Sequence, residues 1–460
     1  MKTAISLVLV ALLCCSSCQK KSEASSYSNP SISGKISNPG KHKLKLFDFL
    51  GKSQWQQDIE VMDSAFTVNL NINTPVFKTL AYGNTRKDIF LKPNKSLIVY
   101  IQEGTFKYDG DLAHENSILD AVSSRLQTVD FPFVSSQPLE VAKKYIDSLE
   151  EDSYKLLQEL TSTNPTSSDF QDYTKAYIKY DLAFLKLMLG ERKDEQPDNY
   201  YDFLNTTTLS KPELLDISKY RSFLVYYLER ETNLRVQQLD AKQQKSPEVE
   251  FNESLKVIEE LENEAIRAYC FYNAMIMKLK ESGINDFEEH YQYFITTNTD
   301  PYYKAQMEMA YAEKKKIAPG QPAPEFTLKD VDGNMVSLGD FKGKYVYLDF
   351  WQTLCPRSAR ELPHYLKLQS EYNTENIAFV SISVNEDENV WRDYVKAKKN
   401  VGTSLRATEY FDSEVYKEYQ VNGLPSFVLI DTEGKIIDSV ADKPSSEEIR
   451  ETLNELLHAN

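Results

Sequence analysis

The residue best placed to do chemistry in this sequence is Cys355, within the run Asp349 to Ser358 that reads DFWQTLCPRS. A predicted buried strand ends before this cysteine and a predicted helix begins at Pro356. The free N–H groups and the positive dipole end of a helix favour the thiolate form of a cysteine placed there. Arg357 adds a nearby cation and the Ser358 hydroxyl can donate to the sulfur, so we expect a nucleophilic thiolate rather than an inert buried cysteine.

An alternating pattern of strands and helices from residue 317 to residue 460 must position this cysteine. It begins after the basic helix end Lys314 to Lys316, where Ala318-Pro319-Gly320 interrupts the helical pattern. Such alternation indicates an α/β fold. The predicted elements are a hairpin over 325–338, strands over 345–350, 377–384, 426–431 and 435–440, helices over 356–372 and 389–399, and a last helix with a capping box at Ser445 and Glu448.

Four motifs in this region resemble the TlpA/ResA group of thioredoxin-like proteins, which is related to the AhpC/TSA family. They are Ala323 to Asp330 (APEFTLKD), Phe341 to Lys344 (FKGK), Asp349 to Ser358, and Gly423 to Ser426 (GLPS). The motifs occur in the family's order and with its spacing. The resemblance spans about Ile317 to Asn460 and implies a thioredoxin fold for that part of the chain.

The resemblance also assigns the residues around the nucleophile. In the family a tryptophan, the first cysteine and a later proline stand where Trp351, Cys355 and Pro363 stand here, and the second cysteine falls on Ser358. A second thiol normally resolves the mixed disulfide from within the site, which a serine hydroxyl cannot do because its pKa lies far above that of a thiol. Isomerisation, or reduction driven by an external thiol, remains possible, whereas unaided net oxidation of dithiols does not.

Two further site residues follow from the same resemblance. Asp349 takes the place of a buried acid that handles the proton of the second thiol; since that thiol is absent, a hydrogen-bonded structural acid is an equal interpretation. Pro425 takes the place of a cis-proline that faces the nucleophile and exposes neighbouring backbone, at Leu424, to an incoming peptide. The residues expected to contact substrate are Trp351, Pro356, Arg357, Leu424 and Pro425.

The N-terminal segment predicts export. A charged start, an apolar stretch from Ala4 to Leu13 and a cysteine after small residues resemble a bacterial lipoprotein signal peptide over residues 1–18. Cys18 fits best as the lipidated residue, Cys15 is the alternative, and a plain secretory peptide is the third possibility. Residues 19–31 are polar and suit a flexible tether. We therefore expect a protein of the Gram-negative cell envelope that is lipid-anchored, faces the periplasm, and belongs to the outer membrane in preference to the inner.

Only Cys270 and Cys355 remain outside this leader, which excludes a disulfide framework in an exported chain. Cys270 lies in an apolar helical stretch, so core packing is preferred over the role of a distant resolving thiol. The histidines lack metal-ligand spacing, and no phosphate-binding glycine loop or zinc pattern occurs. We expect no metal and no cofactor.

Two regions precede the thioredoxin-like domain. Residues 32–116 contain short alternating runs broken by turns, which predict a small antiparallel β domain. Within it, the run Phe90 to Val99 resembles an N-terminal β domain of unknown function that often precedes thioredoxin-like domains in envelope lipoproteins. Residues 117–316 change to a helical period, with an aromatic stripe that includes Phe170 and Tyr177 and is interpreted as core. The predicted fold is multidomain: an N-terminal antiparallel β domain, a central α-helical region, and a C-terminal α/β thioredoxin fold over 317–460.

Composition limits the partners. The chain has 460 residues, 41% of them hydrophobic, and a formal net charge of −16, which argues against nucleic acid because phosphate binding needs clustered Lys and Arg. Beyond the leader no apolar run is long enough to cross a bilayer. The expected partners are envelope proteins with disulfides or thiols, an external thiol reductant, and the membrane through the lipid anchor.

Three functions fit these observations. The preferred one is an envelope thiol-disulfide oxidoreductase or isomerase with Cys355 as the single nucleophile. The second is a non-catalytic thioredoxin-fold binding or adaptor lipoprotein in which Cys355 is a vestige. The third, a one-cysteine peroxidase, is suggested by the Cys355-Pro356 pair and disfavoured because Gln352 stands where a hydroxyl is expected, with Thr353 one place late.

Overall fold

The structure is a computed structural model that describes residues 31–37, 39, 43–48, 55–83, 85–192, 196–240, 246–285, 287–384, 387–398, 402–408 and 413–458. The predicted signal peptide, the tether up to residue 30 and Cys18 lie outside the described residues. None of the helices in the described part combines the length and the apolar character that a membrane-spanning segment needs.

The described residues of the first region form eight strands in two four-stranded sheets, ordered β4-β1-β7-β8 and β3-β2-β5-β6. The prediction of a purely antiparallel domain is wrong at one place, because β1 and β7 pair in parallel with Gly34 opposite Val99. A Cβ on Gly34 would lie 1.8 Å from the Val99 carbonyl oxygen, so this close approach requires glycine. The strands are β1 (Ser31–Ile36), β2 (Leu44–Asp48), β3 (Trp55–Ile59), β4 (Ala65–Asn69), β5 (Val76–Tyr82), β6 (Thr85–Leu91), β7 (Leu97–Gln102) and β8 (Thr105–Asp109).

Nine α-helices follow in the described part, the first starting at Ala113, four residues before the expected change of pattern. One hydrophobic cluster runs from Ile32 to Tyr311, so the sheets and the helices share a single core. Phe170 and Tyr177 of the aromatic stripe are buried in it, as expected. The helices are α1 (Ala113–Leu126), α2 (Phe131–Ser136), α3 (Leu139–Thr163), α4 (Ser168–Gly190), α5 (Ser218–Val236), α6 (Pro247–Glu259), α7 (Glu264–Ser282), α8 (Glu288–Thr297) and α9 (Pro301–Lys315).

In the C-terminal domain the residues that the structure describes include a seven-stranded sheet, ordered β10-β9-β13-β12-β11-β14-β15. The central strand β11 pairs in parallel with β12 and antiparallel with β14, and its residues from Val346 onward are buried. Its elements are β9 (Thr327–Asp330), β10 (Met335–Ser337), β11 (Tyr345–Trp351), α10 (Pro356–Glu371), β12 (Ile377–Ser383), α11 (Glu388–Lys398), β13 (Thr403–Arg406), α12 (Glu414–Glu418), β14 (Ser426–Ile430), β15 (Ile436–Asp438) and α13 (Glu448–His458).

The predicted elements of this domain are present, but the predicted capping box is wrong. The Ser445 backbone N–H and hydroxyl donate to the carboxylate of Glu361 at 3.1 and 3.0 Å. The hydroxyl of Ser446 accepts the N–H of Ile449 at the start of α13 instead, at 3.4 Å. Ser445 therefore does not cap α13, because its donors bind Glu361 of α10, a residue distant in sequence. Strand β13 and helix α12 had no sequence prediction.

The C-terminal domain contacts the ends of two helices of the preceding region. The side-chain amide of Gln420 donates to the Glu313 carbonyl oxygen at the end of α9, at 2.6 Å. Gly283, just after α7, lies against Val440, just after β15, where a Cβ added to the glycine would be 3.2 Å from Val440 Cγ2. The ends of α7 and α9 therefore lie against the loops that border the thioredoxin sheet.

Candidate active site

Cys355 is the N-cap residue of α10. It is the last residue of the four-residue connection 352–355 that joins β11 to this helix. Its side chain is partly exposed, and the thiol donates to the Leu424 carbonyl oxygen at 3.6 Å. The Leu424–Pro425 peptide bond is cis, as the resemblance implied. The cysteine therefore sits at the N-terminal end of a 16-residue helix and faces the backbone of the proline loop.

Opposing effects act on the pKa of Cys355. Partial burial is the largest and raises the pKa, but hydrogen bonds from the backbone N–H and hydroxyl of Ser358, the N–H of Arg357 and the charge of Arg357 lower it. The net result is a pKa below the ordinary thiol value. The strand-to-helix junction thus favours the thiolate, by the physical route that the sequence suggested.

Ser358 lies on the first turn of α10 and is buried. Its hydroxyl has no well-formed hydrogen bond to any described residue while Cys355 carries its proton. A buried hydroxyl without a partner is costly, and the thiolate of Cys355 is the acceptor that it lacks. Ser358 therefore occupies the place of a resolving thiol and can stabilise the ionised nucleophile, but it cannot displace a disulfide.

Asp349, on β11, is buried beneath the site, and one of its carboxyl oxygens has no hydrogen-bond partner in the described part of the chain. Burial, with a smaller contribution from the charge of Glu361, raises the pKa of Asp349 well above the ordinary carboxyl value. Glu361 is held by Ser445 and so keeps its position near the buried acid. The surroundings of Asp349 therefore favour its neutral form over a second negative charge near the thiolate.

Trp351 is the one expected substrate contact that does not border the surface at the site. It is buried and its ring lies 5.4 Å from that of Tyr394, in a small cluster with Trp391 and Val395. The packing fixes the end of β11, from which the turn to Cys355 starts. Trp351 therefore lies in the hydrophobic interior next to the turn that carries Cys355, and not on the surface that a substrate would contact.

A shallow cleft of about 620 Å³ opens above the thiol, and we call it the thiol cleft. It contains Cys355 together with the expected contacts Pro356, Arg357 and Leu424. Leu354, which precedes Cys355 in the chain, has 81% of its surface exposed. The cleft is also lined by residues that were not among the expected substrate contacts: Gln352, Arg360, Tyr416, Asn422 and Gly423.

Pro425 borders an adjoining cleft of about 800 Å³ between the thioredoxin domain and the ends of α7 and α9, which we call the interdomain cleft. The two clefts share walls at Arg357, Arg360 and the loop 422–424. Cys270 lines neither cleft. It is fully buried in α7, and burial raises the pKa of its thiol. Core packing, the preferred interpretation of Cys270, is confirmed. Over the described ranges, no cluster of three or more His, Cys, Asp or Glu has metal-binding geometry.

A central parallel and antiparallel sheet, a thiol at the start of the helix after its central strand, and a facing cis-proline define a thioredoxin-fold thiol protein. The AhpC/TSA family profile matches residues 319–439. The thiol-disulfide oxidoreductase ResA of Halalkalibacterium halodurans is 31% identical over 127 residues, which cover 28% of this chain and 70% of that protein. ResA of Bacillus subtilis is 29% identical over 144 residues, which cover 31% of this chain and 79% of that protein.

This chain therefore belongs, through its C-terminal third, to the ResA-type thiol-disulfide oxidoreductase family. Among solved structures, the thioredoxin domain of a thiol-disulfide oxidoreductase from Bacteroides vulgatus shares 29% identity, with 31% of this chain and 99% of that chain covered and a TM-score of 0.29. The family assignment rests on the sequence relatives.

Proposed function

We propose that this protein is a thiol-disulfide oxidoreductase or isomerase of the cell envelope that uses a single nucleophilic cysteine. One observation carries the proposal: Cys355 is partly exposed, has a lowered pKa and faces the Leu424 carbonyl, while buried Ser358 stands in the resolving position. Reaction with disulfides is therefore open to Cys355, and internal resolution is not.

The reaction has two exchange steps. The Cys355 thiolate attacks one sulfur of a substrate disulfide, a new sulfur–sulfur bond forms, and the other substrate sulfur leaves with the electron pair as a thiolate. An external thiolate, or a second thiolate of the substrate, then attacks the mixed disulfide and releases Cys355 as a thiolate. With a substrate thiol the outcome is isomerisation, and with an external thiol the substrate is reduced while the external thiol is oxidised.

Neighbouring residues support these steps. Arg357 stabilises the thiolate before attack and when it is released. The backbone beside Pro425 lies next to the sulfur, where an extended peptide could pair with it as an added strand does. Burial favours the neutral form of Asp349, so the thiolate is the negative charge that we assign to the reacting centre.

The location of this activity is part of the proposal. Residues 1–18 have the composition of a lipoprotein signal, and attachment at Cys18 would hold the protein to a membrane, with the outer membrane preferred, and with the thioredoxin domain in the periplasm. Replacing Cys18 with Ser should release the full-length protein from the membrane fraction. Release on Cys15→Ser instead would move the anchor to the alternative site.

The test of the chemistry uses the full-length protein and its Cys270→Ser variant, in which Cys355 is the thiol to be followed. We expect a Cys355 titration midpoint below that of free cysteine and stable mixed disulfides with envelope proteins that disappear on adding a small thiol. A midpoint at the value of free cysteine together with no Cys355-dependent adducts would support a binding or adaptor protein instead. Rapid peroxide consumption with sulfenic acid at Cys355 would support a peroxidase.

A further inference from the structure

The interdomain cleft contains two lysines from outside the thioredoxin domain, each near the C-terminal end of its helix. Lys280 lies on α7 and Lys314 on α9, and both border the cleft. Lys314 is only 7% exposed and Lys280 is partly buried. Neither ammonium group forms a hydrogen bond or ion pair with any residue that the structure describes.

Another buried lysine of the same chain shows how a structural lysine is accommodated. Lys186 is 4% exposed, and its ammonium group contacts the carboxylates of Asp147 at 2.6 Å and Glu150 at 3.0 Å. A charged group removed from water needs such partners because the loss of hydration is expensive. Lys314 is about as buried as Lys186, but no carboxylate of the described residues pairs with its ammonium group.

The electrostatic environment leads to the same conclusion. Burial lowers the pKa of Lys280, and burial followed by the positive charge of Lys280 lowers the pKa of Lys314. The two ammonium groups therefore repel each other in a partly desolvated space, and neither is ion-paired with an acid in the described part of the chain. Two uncompensated cations on a cleft wall create a position where an anionic group of a ligand is stabilised.

The opposite wall extends the positive charge toward the nucleophile. Arg357 and Arg360 of α10 border both the interdomain cleft and the thiol cleft and form no ion pair with any other described residue. The cleft also contains acids, of which Glu361 is engaged by Ser445. Glu281 adjoins Lys280 in sequence, but successive helical residues do not face each other, and no ion pair joins them. The other acids are Asp442 and Glu448.

We propose that the interdomain cleft binds a carboxylate carried by the disulfide or thiol substrate of Cys355, with Lys280 and Lys314 as its partners. This rests on the proposed function and names the substrate class: thiol compounds that bear a carboxylate within reach of the reacting sulfur. An acidic polypeptide and a small anionic thiol offer the same chemistry. The helical region thereby contributes binding residues to a reaction whose sulfur chemistry belongs to the thioredoxin domain.

The test compares three small disulfides with the full-length Cys270→Ser protein: dithiodiglycolate, which carries two carboxylates, neutral bis(2-hydroxyethyl) disulfide, and cystamine, which carries two ammonium groups. In each case Cys355 forms a mixed disulfide and one thiolate leaves. We expect dithiodiglycolate to react about tenfold faster than the neutral probe and cystamine more slowly, with the advantage falling as salt increases. Equal rates for the three probes would overturn the proposal.

The lysines are tested by Lys280→Gln and by Lys314→Met, which keeps the length and apolar stem of the buried side chain. Both variants should reduce the dithiodiglycolate advantage toward one and leave the neutral rate unchanged. Lys367→Gln is the matched control, since Lys367 is an exposed lysine of α10 beside Glu371 that does not border the cleft. An unchanged advantage in Lys280→Gln would overturn the assignment even if Lys314→Met fails to fold.

A second measurement separates this proposal from the proposed function. With Cys355→Ser protein, a Glu-rich peptide should raise the melting temperature more than its Gln counterpart, and Lys280→Gln should remove the difference. If Cys355 reacts with no disulfide but the Glu-rich peptide stabilises the protein, the oxidoreductase fails and the anion site stands. If neither peptide nor dithiodiglycolate shows a preference, the anion site fails. A preference for dithiodiglycolate alone identifies a small anionic thiol as the source, and a preference for peptide alone an acidic polypeptide.

Discussion

The two described cysteines lie in opposite environments. Cys270 is within the helical core, 2% exposed, and burial raises the pKa of its thiol. Cys355 is at a helix N-terminus, partly exposed, and hydrogen bonds and the Arg357 charge outweigh its desolvation. The same side chain is thus a small apolar packing residue in one region and a nucleophile in the other. Position relative to helix ends and solvent, rather than residue type, decides which cysteine reacts.

The largest difference between the two cysteines should appear when each is replaced by serine in turn. Cys355→Ser should lower the rate of mixed disulfide formation roughly a thousandfold or more, since a hydroxyl does not ionise at neutral pH. Cys270→Ser should leave that rate within about twofold and lower the free energy of unfolding by about 1–3 kcal/mol, because it buries a hydroxyl in an apolar site. Mass spectrometry of trapped adducts measures the rate of mixed disulfide formation, and chemical denaturation measures the free energy of unfolding. Loss of adducts in Cys270→Ser would make Cys270 a participant in the reaction.

Restoring a second thiol in the reactive region should have the next largest effect. Ser358→Cys should shorten the lifetime of the Cys355 mixed disulfide about a hundredfold, because an intramolecular thiol replaces an external one. Ser381→Cys is the matched control, since it adds a buried thiol to the same domain on β12 instead of α10. Quenched time courses with a peptide disulfide measure the lifetime. An unchanged lifetime in Ser358→Cys would show that the site is closed to resolution.

A smaller effect should separate the contributions to the Cys355 pKa. The alkylation rate of Cys355 should reach its plateau at a pH below that of an ordinary thiol, while Cys270 stays unreactive in the folded protein. Arg357→Gln should move the midpoint upward and slow alkylation at neutral pH by about two- to fivefold. Arg360→Gln serves as the control, since Arg360 borders the same cleft and is not among the main contributors to this pKa. Equal midpoints in all three proteins would contradict the role of Arg357.

The reactive region could be predicted from sequence because its determinants are local. The strand that ends at Trp351, the helix that begins at Pro356 and the cis bond before Pro425 belong to short motifs with fixed spacing. Lys280 and Lys314 are separated from Cys355 by tens of residues. Lys314 reads in sequence as part of an ordinary basic helix end, and only the docking of α7 and α9 brings it to the cleft.

Other features depended on contacts that local patterns do not encode. Alternating apolar residues predict that β1 and β7 are strands but carry no information about their relative direction, so the parallel pairing at Gly34 was missed. Ser445 has the local pattern of a helix cap, but Glu361 is the stronger partner. In both cases a residue distant in sequence decided the outcome.

The last prediction concerns Asp349, whose neutral form burial favours, as it favours the neutral thiol of Cys270. Its folded-state pKa is raised, so between the ordinary carboxyl pKa and the raised value the folded protein holds a proton that the unfolded chain has lost. Stability therefore falls as pH rises through that window, by up to about 1.4 kcal/mol for each pH unit. Asp349→Asn removes this loss, so its free energy of unfolding should exceed that of the parent progressively as pH rises.

Asp340→Asn is the control with the opposite sign. The N–H and hydroxyl of Ser337 bind the exposed Asp340 carboxylate and lower its pKa. That stabilisation is present above the ordinary carboxyl pKa and is lost as pH falls through the lowered one, so Asp340→Asn should be the less stable protein at neutral pH and approach the parent in acid. Urea denaturation between pH 3 and 8 measures both series. Curves for Asp349→Asn and the parent that stay parallel would mean that Asp349 is ionised in the folded protein, and a negative charge would then lie beneath the Cys355 thiolate.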